Sequence, residues 1–364
     1  MTSYRSLFHV FGRIGLLSFG GPAAQIALMH RELVETRTWL TEPQFLRALS
    51  FCMLLPGPEA MQLATYAGWK QRGIPGGLIA GLLFVLPGAA VIMGLALAYG
   101  MYGALDWMQA AFLGVKAAVV VIVLEALIKV SRRALKSTRH AIIAVLAFAA
   151  LFLFAVPYPI VILLAGVIGM FGTSGTAPPA DRQLPWKASA QIIGFGALVW
   201  AGPLVVVAAV SGGVLLQIGL FFAKLALVTF GGAYAVLAYM TQTVVTDFGW
   251  VTTAQLMDGL GLAETTPGPL ILATQFIAMI AGYAQGGVGL AIVAGALTLW
   301  VTFVPCFIWI FAGAPLIDWL EGRPKISGAL AGITAAVVGV IANLSLWFAT
   351  HVFFREISAV NLGP

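Results

Sequence analysis

Charged residues are scarce in this sequence. Asp, Glu, Lys and Arg make up 9% of its 364 residues, whereas a soluble domain carries about 25%. Hydrophobic residues make up 61%, and the mean hydropathy is +1.00. So few charges cannot cover a surface that faces water, which excludes soluble enzymes and soluble DNA-binding proteins. The composition predicts an all-α polytopic integral membrane protein, a bundle of helices.

Residue types that hold metals or carry out catalysis are also scarce. Cys52 and Cys306 each lie in an apolar stretch, which indicates neither a disulfide framework nor a cysteine metal site. The four histidines lack metal-ligand spacing, and no Walker, Rossmann or Ser/His/Asp motif occurs. We therefore predict no cofactor, no metal and no catalytic residue, which disfavours an ATP-driven pump. A membrane-embedded enzyme would need a nucleophile, base or metal set that we do not find.

Basic residues outnumber acidic ones by 19 to 13. Most of these bases fall in short segments between apolar runs, which indicates positive-inside topology and the lipid bilayer as a partner, not a nucleic-acid surface. The first residues lack a short apolar core followed by a small-residue cleavage site, so we expect no cleaved signal.

Apolar runs recur along the whole sequence. A spanning helix needs about 20 apolar residues, so the length allows about ten or eleven membrane elements. We place them at 6–29, 44–68, 75–99, 105–128, 140–172, 188–212, 214–240, 254–283, 287–312 and 326–350. The run 140–172 is too long for one straight helix and contains Pro157 and Pro159, which predicts two helices that meet at a turn. A polar, Gly- and Pro-rich loop follows at 172–182.

The two halves of the sequence form a repeat. An offset of 211 residues aligns 11–58 with 222–269, and about 16 of these 48 positions are identical. Beyond a further insertion of seven residues, Pro87 aligns with Pro305. Such duplication is typical of secondary transporters. We predict a first repeat at 1–172, a hydrophilic connector at 173–187 and a second repeat at 188–364.

The charges indicate that the two repeats are inverted. The segment 30–43 contains three basic residues, whereas the equivalent segment 241–253 has no base and one acid. By the positive-inside rule these segments face opposite sides of the membrane. The remaining bases reach one side only if some elements enter the membrane and return. The run 44–68 and its partner are therefore predicted to be re-entrant or broken helices.

Two breaks interrupt each half, a Gly-Gly pair and a Pro-Gly-Pro triplet. Proline removes a backbone hydrogen bond inside a helix, and paired glycines let the chain leave helical geometry. The half-helix after each break points its free N–H groups at the break, and such ends bind anions. We predict an anion site at the repeat interface; the alternative is that these residues only kink and pack helices. The predicted ligands are Ser18, Gly20, Gly21, Gly57, Thr229, Gly231, Gly232, Thr266 and Gly268.

Two basic residues occupy the same repeat position. Arg13 and Lys224 each precede the Gly-Gly break by about two turns, inside otherwise apolar elements. A cation there costs about 2.5–3.5 kcal/mol on insertion scales, which makes both residues candidate ligands for an anionic substrate. The alternative is that both side chains reach the membrane interface, as long basic side chains do.

Two acidic residues lie beside the Pro-Gly-Pro motifs. Glu59 follows Pro58, and Glu264 precedes Pro267 by three residues. A buried carboxylate can carry a proton between the two sides of a membrane as its site changes exposure, so both are candidates for proton coupling. Glu59 could instead only cap the half-helix that it begins.

The sequence resembles the chromate ion transporter family, in its long-chain, two-domain form. The motifs that carry the resemblance are FGGP at 19–22, WLTEPQF at 39–45, LPGP at 55–58, FGG at 230–232 and TPGP at 266–269. They recur in order over essentially the whole chain. The resemblance implies a carrier in the bacterial cytoplasmic membrane that exports chromate, uses the proton motive force and confers chromate resistance. One departure is Ala233, which stands where the first half has Pro22.

The choice of anion comes from the resemblance alone. Chromate and sulfate are both tetrahedral dianions that suit half-helix N-termini combined with one or two cations. A sulfate or general oxyanion carrier is therefore one alternative, and an anion channel without proton coupling is another. The sequence fixes neither the stoichiometry nor the oligomeric state, and a homodimer is left open.

Overall fold

Helices make up every regular segment that the computed structural model describes, which confirms the all-α prediction. The described residues are 2–103, 105, 114, 121, 124–125, 127–132, 134–154, 156–171, 186–228, 230, 239–241, 243–317 and 324–353. The predicted loop at 172–182 lies outside them, as does the predicted connector except for residues 186 and 187. The helices are α1 (Tyr4–Leu17), α2 (Gly21–His30), α3 (Glu42–Leu54), α4 (Glu59–Tyr102), α5 (Thr138–Phe154), α6 (Tyr158–Met170), α7 (Trp186–Val210), α8 (Gly213–Val228), α9 (Thr253–Thr265), α10 (Ala273–Gly313) and α11 (Pro324–Phe353).

Four helical segments are long and apolar enough to cross a membrane. They are Glu59–Tyr102, Trp186–Val210, Leu270–Gly313 and Pro324–Trp347. Large apolar side chains on α5, α6 and α7 are exposed on the outside of the bundle, where lipid tails can cover them. The chain is therefore a multi-pass membrane protein.

The first predicted element, 6–29, consists of two helices that fold back on each other. Ser3 caps α1 by accepting a hydrogen bond from the Ser6 N–H at 3.1 Å. Gly20, in the left-handed conformation, begins α2 after the Gly-Gly break. The chain then returns alongside α1, because the rings of Phe11 and Trp39 lie 6.2 Å apart. The break therefore forms the inner tip of a hairpin.

The second predicted element, 44–68, is also a hairpin. Thr41 and Gln44 form a capping box that begins α3. After the Pro-Gly-Pro turn the chain returns through the first arm of α4, residues 59–71. The side chain of Gln71 donates a hydrogen bond to the carbonyl oxygen of Trp39 at 2.9 Å, so both outer ends of the hairpin lie together. This confirms the predicted re-entrant or broken element.

The long helices α4 and α10 each contain the same sharp reversal. Arg72 and Gly73 have φ/ψ of −143°/25° and 62°/−154°, and Gly286 and Gly287 have −149°/17° and 66°/−156°. The second residue of each pair needs glycine because side chains rarely adopt a positive φ. Each reversal therefore begins a second arm, residues 74–102 of α4 and 288–313 of α10.

Equivalent hairpins enter the bundle from opposite ends. The hairpin of α3 and 59–71 has its outer end where the second arm of α4 begins. At the other end of that arm, a Cβ on Gly100 would lie 2.9 Å from the ring of Tyr283, in the outer part of the second-half hairpin. Opposite entry of equivalent hairpins is the arrangement expected of inverted repeats.

Each Pro-Gly-Pro turn packs on the long helix of the other half. A Cβ on Gly57 would lie 2.7 Å from Cys306 Sγ in α10, and a Cβ on Gly88 of α4 would overlap the carbonyl oxygen of Pro267. Gly88 and Cys306 follow the two prolines that the repeat aligns. The first-half turn therefore packs on the second-half helix, and the second-half turn packs on the first-half helix at the equivalent position. Both turns lie inside the bundle.

Candidate oxyanion site

A cavity of about 450 Å³ opens beside the first Pro-Gly-Pro turn, and we call it the Gly57 cavity. It lies between this turn, the segment that precedes α5, and the first turns of α11. Its walls are Ser50, Cys52, Met53, Leu55, Gly57, Glu59, Val130, Ala134, Lys136, His140, Ser327, Leu330, Ala331 and Thr334. One basic side chain, one imidazole, several hydroxyl groups and one carboxyl group therefore face the same space.

The turn presents the N-terminus of α4 to the cavity. Gly57 has φ of 114°, which favours glycine, and the side-chain amide of Gln62 steadies the turn by donating to the Pro56 carbonyl at 2.7 Å. The first helical hydrogen bond runs from the Gln62 N–H to the Pro58 carbonyl at 3.1 Å. The N–H groups before Gln62 have no acceptor within the helix. With the helix dipole they form an end that attracts anions.

The lysine and the histidine of the cavity were not predicted from the sequence as site residues. Lys136 belongs to a basic stretch that we interpreted only as a positive-inside loop. His140 stands on α5, and its buried Nδ1 has no hydrogen-bond partner in the described part of the chain. Neither residue has a sequence signal that links it to Gly57, because the contact arises only when α5 packs beside the turn.

The second Pro-Gly-Pro turn is filled by protein groups. The Gly268 N–H donates to the Ser18 carbonyl at 3.0 Å, and Gln25 Nε2 donates to the Gly268 carbonyl at 2.7 Å. The Ser18 hydroxyl donates to the Ile14 carbonyl at 2.5 Å. The first-half Gly-Gly break therefore meets the second-half Pro-Gly-Pro turn, and their polar groups bind each other.

The remaining predicted ligands at the breaks occupy different positions. Gly20 is exposed, and Gly21 is buried at the start of α2. Thr266 is buried, and its hydroxyl donates to the Ala263 carbonyl at 3.4 Å. Thr229, Gly231 and Gly232 lie outside the described residues.

The two predicted cations lie away from the Gly57 cavity. Arg13 Nη1 is 3.7 Å from Glu32 Oε1, and Arg37 also binds this carboxylate. Lys224 lines a second cavity of about 560 Å³, the Lys224 cavity, with Tyr158, Gln217, Tyr239, Thr243, Asp247 and neighbouring apolar residues. The equivalent cations of the two halves therefore have different surroundings.

The two predicted proton carriers are placed differently. Glu59 lines the Gly57 cavity. Glu264 is half-buried on α9, just before the second turn. A further acid, Asp258, is 2% exposed, and the Tyr99 hydroxyl donates to its Oδ2 at 2.8 Å. The sequence carried a signal for Asp258, because an acid inside an apolar element marks a functional candidate.

Comparisons with known proteins give the family. Residues 5–170 and 216–362 match the sequence model of the family described as "Chromate transporter". A chromate transport protein of Cupriavidus metallidurans is 34% identical over 340 residues, which are 93% of this chain and 81% of that protein. A chromate transport protein of Pseudomonas aeruginosa is 32% identical over 377 residues, covering 99% of this chain and 84% of that protein. No solved structure matches. The chain therefore belongs to the chromate transporter family.

Proposed function

We propose that this chain exports chromate across the bacterial cytoplasmic membrane as a secondary transporter driven by the proton motive force, and that it thereby confers chromate resistance. The family and the relatives' names support chromate as the transported ion. The observation that carries the proposal is the Gly57 cavity, where a half-helix N-terminus, Lys136 and His140 face one space inside a membrane protein.

The groups around this cavity suit a tetrahedral dianion. Moving an ion out of water is costly unless charges and hydrogen-bond donors replace its hydration. Lys136 supplies a positive charge, and the N-terminus of α4 supplies N–H groups and a favourable dipole. Hydroxyl groups of Ser50 and Ser327 can donate to the remaining oxygens. Such a site recognises the shape and charge of the ion.

The distribution of charge supports export as the direction of transport. Lys70 and Arg72 stand at the outer end of the first-half hairpin, whereas the equivalent end of the second-half hairpin, near Gln285, has no base among its described residues. The positive-inside rule places the basic end in the cytoplasm. Lys136, in a basic segment, lines the Gly57 cavity, so we infer that chromate is loaded from the cytoplasm.

Inverted repeats at 1–172 and 188–364 supply the movement in this proposal. The matching reversals of α4 and α10 and the exchanged contacts of the two turns support the repeat assignment. In transporters of this architecture one repeat rocks against the other around a central site. The hairpin tips would then serve as both ligands and gates.

Flux into proteoliposomes tests the proposal. The wild-type chain is reconstituted, a pH gradient is imposed, and uptake of radiolabelled chromate is followed with excess unlabelled sulfate as competitor. Gradient-dependent accumulation that resists sulfate supports a proton-driven chromate carrier. Uptake that sulfate suppresses indicates a general oxyanion carrier. Chromate that only equilibrates across the membrane, whether or not a pH gradient is present, indicates a channel or uniporter.

The same assay tests the Gly57 cavity through Lys136→Gln. Loss of a charge-assisted hydrogen bond costs about 1.5–3 kcal/mol, so the half-saturating chromate concentration should rise by about tenfold or more. The matched control is Lys129→Gln, because Lys129 is exposed and pairs with Glu125 at 2.5 Å, outside the cavity. Equal kinetics of Lys136→Gln and Lys129→Gln would place the chromate site elsewhere.

A further inference from the structure

The second half keeps a cation but loses the acid that neutralises it. Lys224 is the repeat equivalent of Arg13, and Thr243 is the equivalent of Glu32. In the first half the Glu32 carboxylate, which is buried, binds Arg13 at 3.7 Å and also binds Arg37. A threonine hydroxyl cannot neutralise a lysine. The first-half cation is therefore held in an ion pair, whereas its second-half equivalent is not held in the same way.

Lys224 stands in open space with polar neighbours. It is an exposed residue that lines the Lys224 cavity of about 560 Å³. Within the described part of the chain its ammonium group has no ion pair or hydrogen bond, and its Nζ lies 5.8 Å from the centre of the Tyr239 ring. Thr243 and Gln217 line the same cavity and offer a hydroxyl and an amide donor. The hydroxyl of Tyr158, on the same wall, donates to the Val228 carbonyl at 3.4 Å. The cavity thus combines a cation that is not held in an ion pair with uncharged hydrogen-bond donors and one carboxylate, that of Asp247.

The Lys224 cavity and the Gly57 cavity lie toward opposite ends of the bundle. Gly169, at the end of α6, packs on Gly328, at the start of α11. The adjacent Ser327 lines the Gly57 cavity. Tyr158 begins α6, at the other end of that helix, and lines the Lys224 cavity. The filled turn of Gly268 and Ser18 lies within the bundle, away from both openings.

We propose that the Lys224 cavity is a second binding station for a tetrahedral oxyanion, at the outer end of the molecule. This inference rests on the proposed function, for which it supplies the exit. Lys224 provides the charge, and the Thr243 hydroxyl and the Gln217 side-chain amide provide hydrogen bonds. The carboxylate of Asp247 lies on the same wall and opposes an anion, as the carboxylate of Glu59 does in the Gly57 cavity.

Binding stoichiometry of the purified full-length chain tests the station without requiring transport. Radiolabelled chromate is measured by equilibrium dialysis against wild type, Lys224→Gln, Thr243→Glu and Thr243→Gln. Thr243→Glu recreates the first-half ion pair, and Thr243→Gln adds the same bulk without the charge. We expect two ions per chain for wild type and one for Lys224→Gln and Thr243→Glu. For Thr243→Gln, which loses the threonine hydroxyl but adds no charge, we expect two ions, the second bound more weakly than in wild type. A wild-type stoichiometry of one, or two ions bound to Thr243→Glu, overturns the station.

Flux from each face separates this inference from the proposed function. In vesicles of known orientation, Thr243→Glu should raise the half-saturating chromate concentration by about tenfold at the outer face only, while Lys136→Gln acts at the inner face. Equal effects of Thr243→Glu at both faces would mean one shared site and overturn a separate station. If the wild-type chain binds two chromate ions but transports none across the membrane, the proposed function is wrong and the second binding station is supported.

Discussion

His30 lies between two carboxylates at the end of α2. Its Nε2 is 2.6 Å from Glu42 Oε2, and its Nδ1 is 3.0 Å from Glu35 Oε1. The hydrogen bond to Glu42 is the main reason that the pKa of His30 is raised above its usual value of about 6.5. The charged imidazole therefore links the end of α2 to the start of α3, and it does so more strongly in acid than in base.

Glu42→Gln should lower the pKa of His30. A pKa that is raised in the folded state adds stability that is fully present below the unfolded value and is lost as the pH rises through the folded value. The variant should therefore lose stability at acidic pH and little at alkaline pH. Nuclear magnetic resonance titration of isotope-labelled histidine measures the pKa, and thermal unfolding across pH measures the stability. Glu35→Gln is the control with a smaller expected shift; a His30 pKa that is unchanged in Glu42→Gln would contradict the interpretation.

Residue identities predicted some of the candidate site and missed the rest. The equivalence of Arg13 and Lys224 is visible in the sequence because a fixed offset aligns them. The same offset aligns Thr243 with Glu32, so the loss of the acid in the second half is also visible in the sequence. Its importance becomes clear only from the structure, in which Glu32 binds Arg13. Lys136 could not be linked to Gly57, because no repeat or spacing relates them and only packing brings them to one cavity.

At the scale of elements, glycine and proline predicted where the helices break but not what covers the breaks. Both Pro-Gly-Pro turns hold glycine at a positive φ, 114° for Gly57 and 93° for Gly268. Such local geometry depends on residue type, so the sequence reveals it. The contacts of each turn depend on remote helices. Gln25 donates a hydrogen bond into the second-half turn. The second half has Val236 at the position equivalent to Gln25, and valine cannot donate such a bond. This difference accounts in part for the second-half turn being filled while the first-half turn is open.

Gly88→Ala should disrupt the second turn. A Cβ at this position would overlap the backbone of Pro267, which cannot move aside as a side chain could. We expect a loss of thermal stability of about 1–3 kcal/mol or more, the usual cost of overpacking. Gly94→Ala on the same helix is the matched control, because a Cβ there meets nothing within 4 Å. The two variants are compared by thermal unfolding in detergent; equal melting temperatures would show that the turn does not pack tightly on α4.

At the scale of the whole molecule, the two halves share an architecture and differ in chemistry. The basic residues of the first-half loops predicted opposite orientations, because charge acts on topology without any knowledge of packing. Which half holds the open cavity was not predictable, since that depends on α5 and α11 enclosing the first turn. We propose that this asymmetry separates loading from release, with Glu59 at the loading site.

The proposed proton coupling concerns the whole molecule, and Glu59→Gln and Glu264→Gln test it. Glutamine keeps the size and hydrogen bonding of glutamate but cannot carry the proton between faces. If either acid couples transport, its variant should exchange chromate at equilibrium yet fail to accumulate it under a pH gradient. Gradient-driven accumulation at wild-type level in both variants would move the coupling to another group, and Asp258, which is buried, would be tested next.

The contact of each turn with the other half of the chain also bears on the order in which the protein is assembled in the membrane. Translation delivers the turn at Gly57 to the membrane long before it delivers Cys306, the residue that this turn packs against. Until α10 is inserted, the polar backbone of the first turn lacks its cover and must be shielded by the insertion machinery or by water. A chain that stops after the first half keeps this exposed turn permanently. Truncated products therefore lack the contact with Cys306 that covers this turn in the full-length protein.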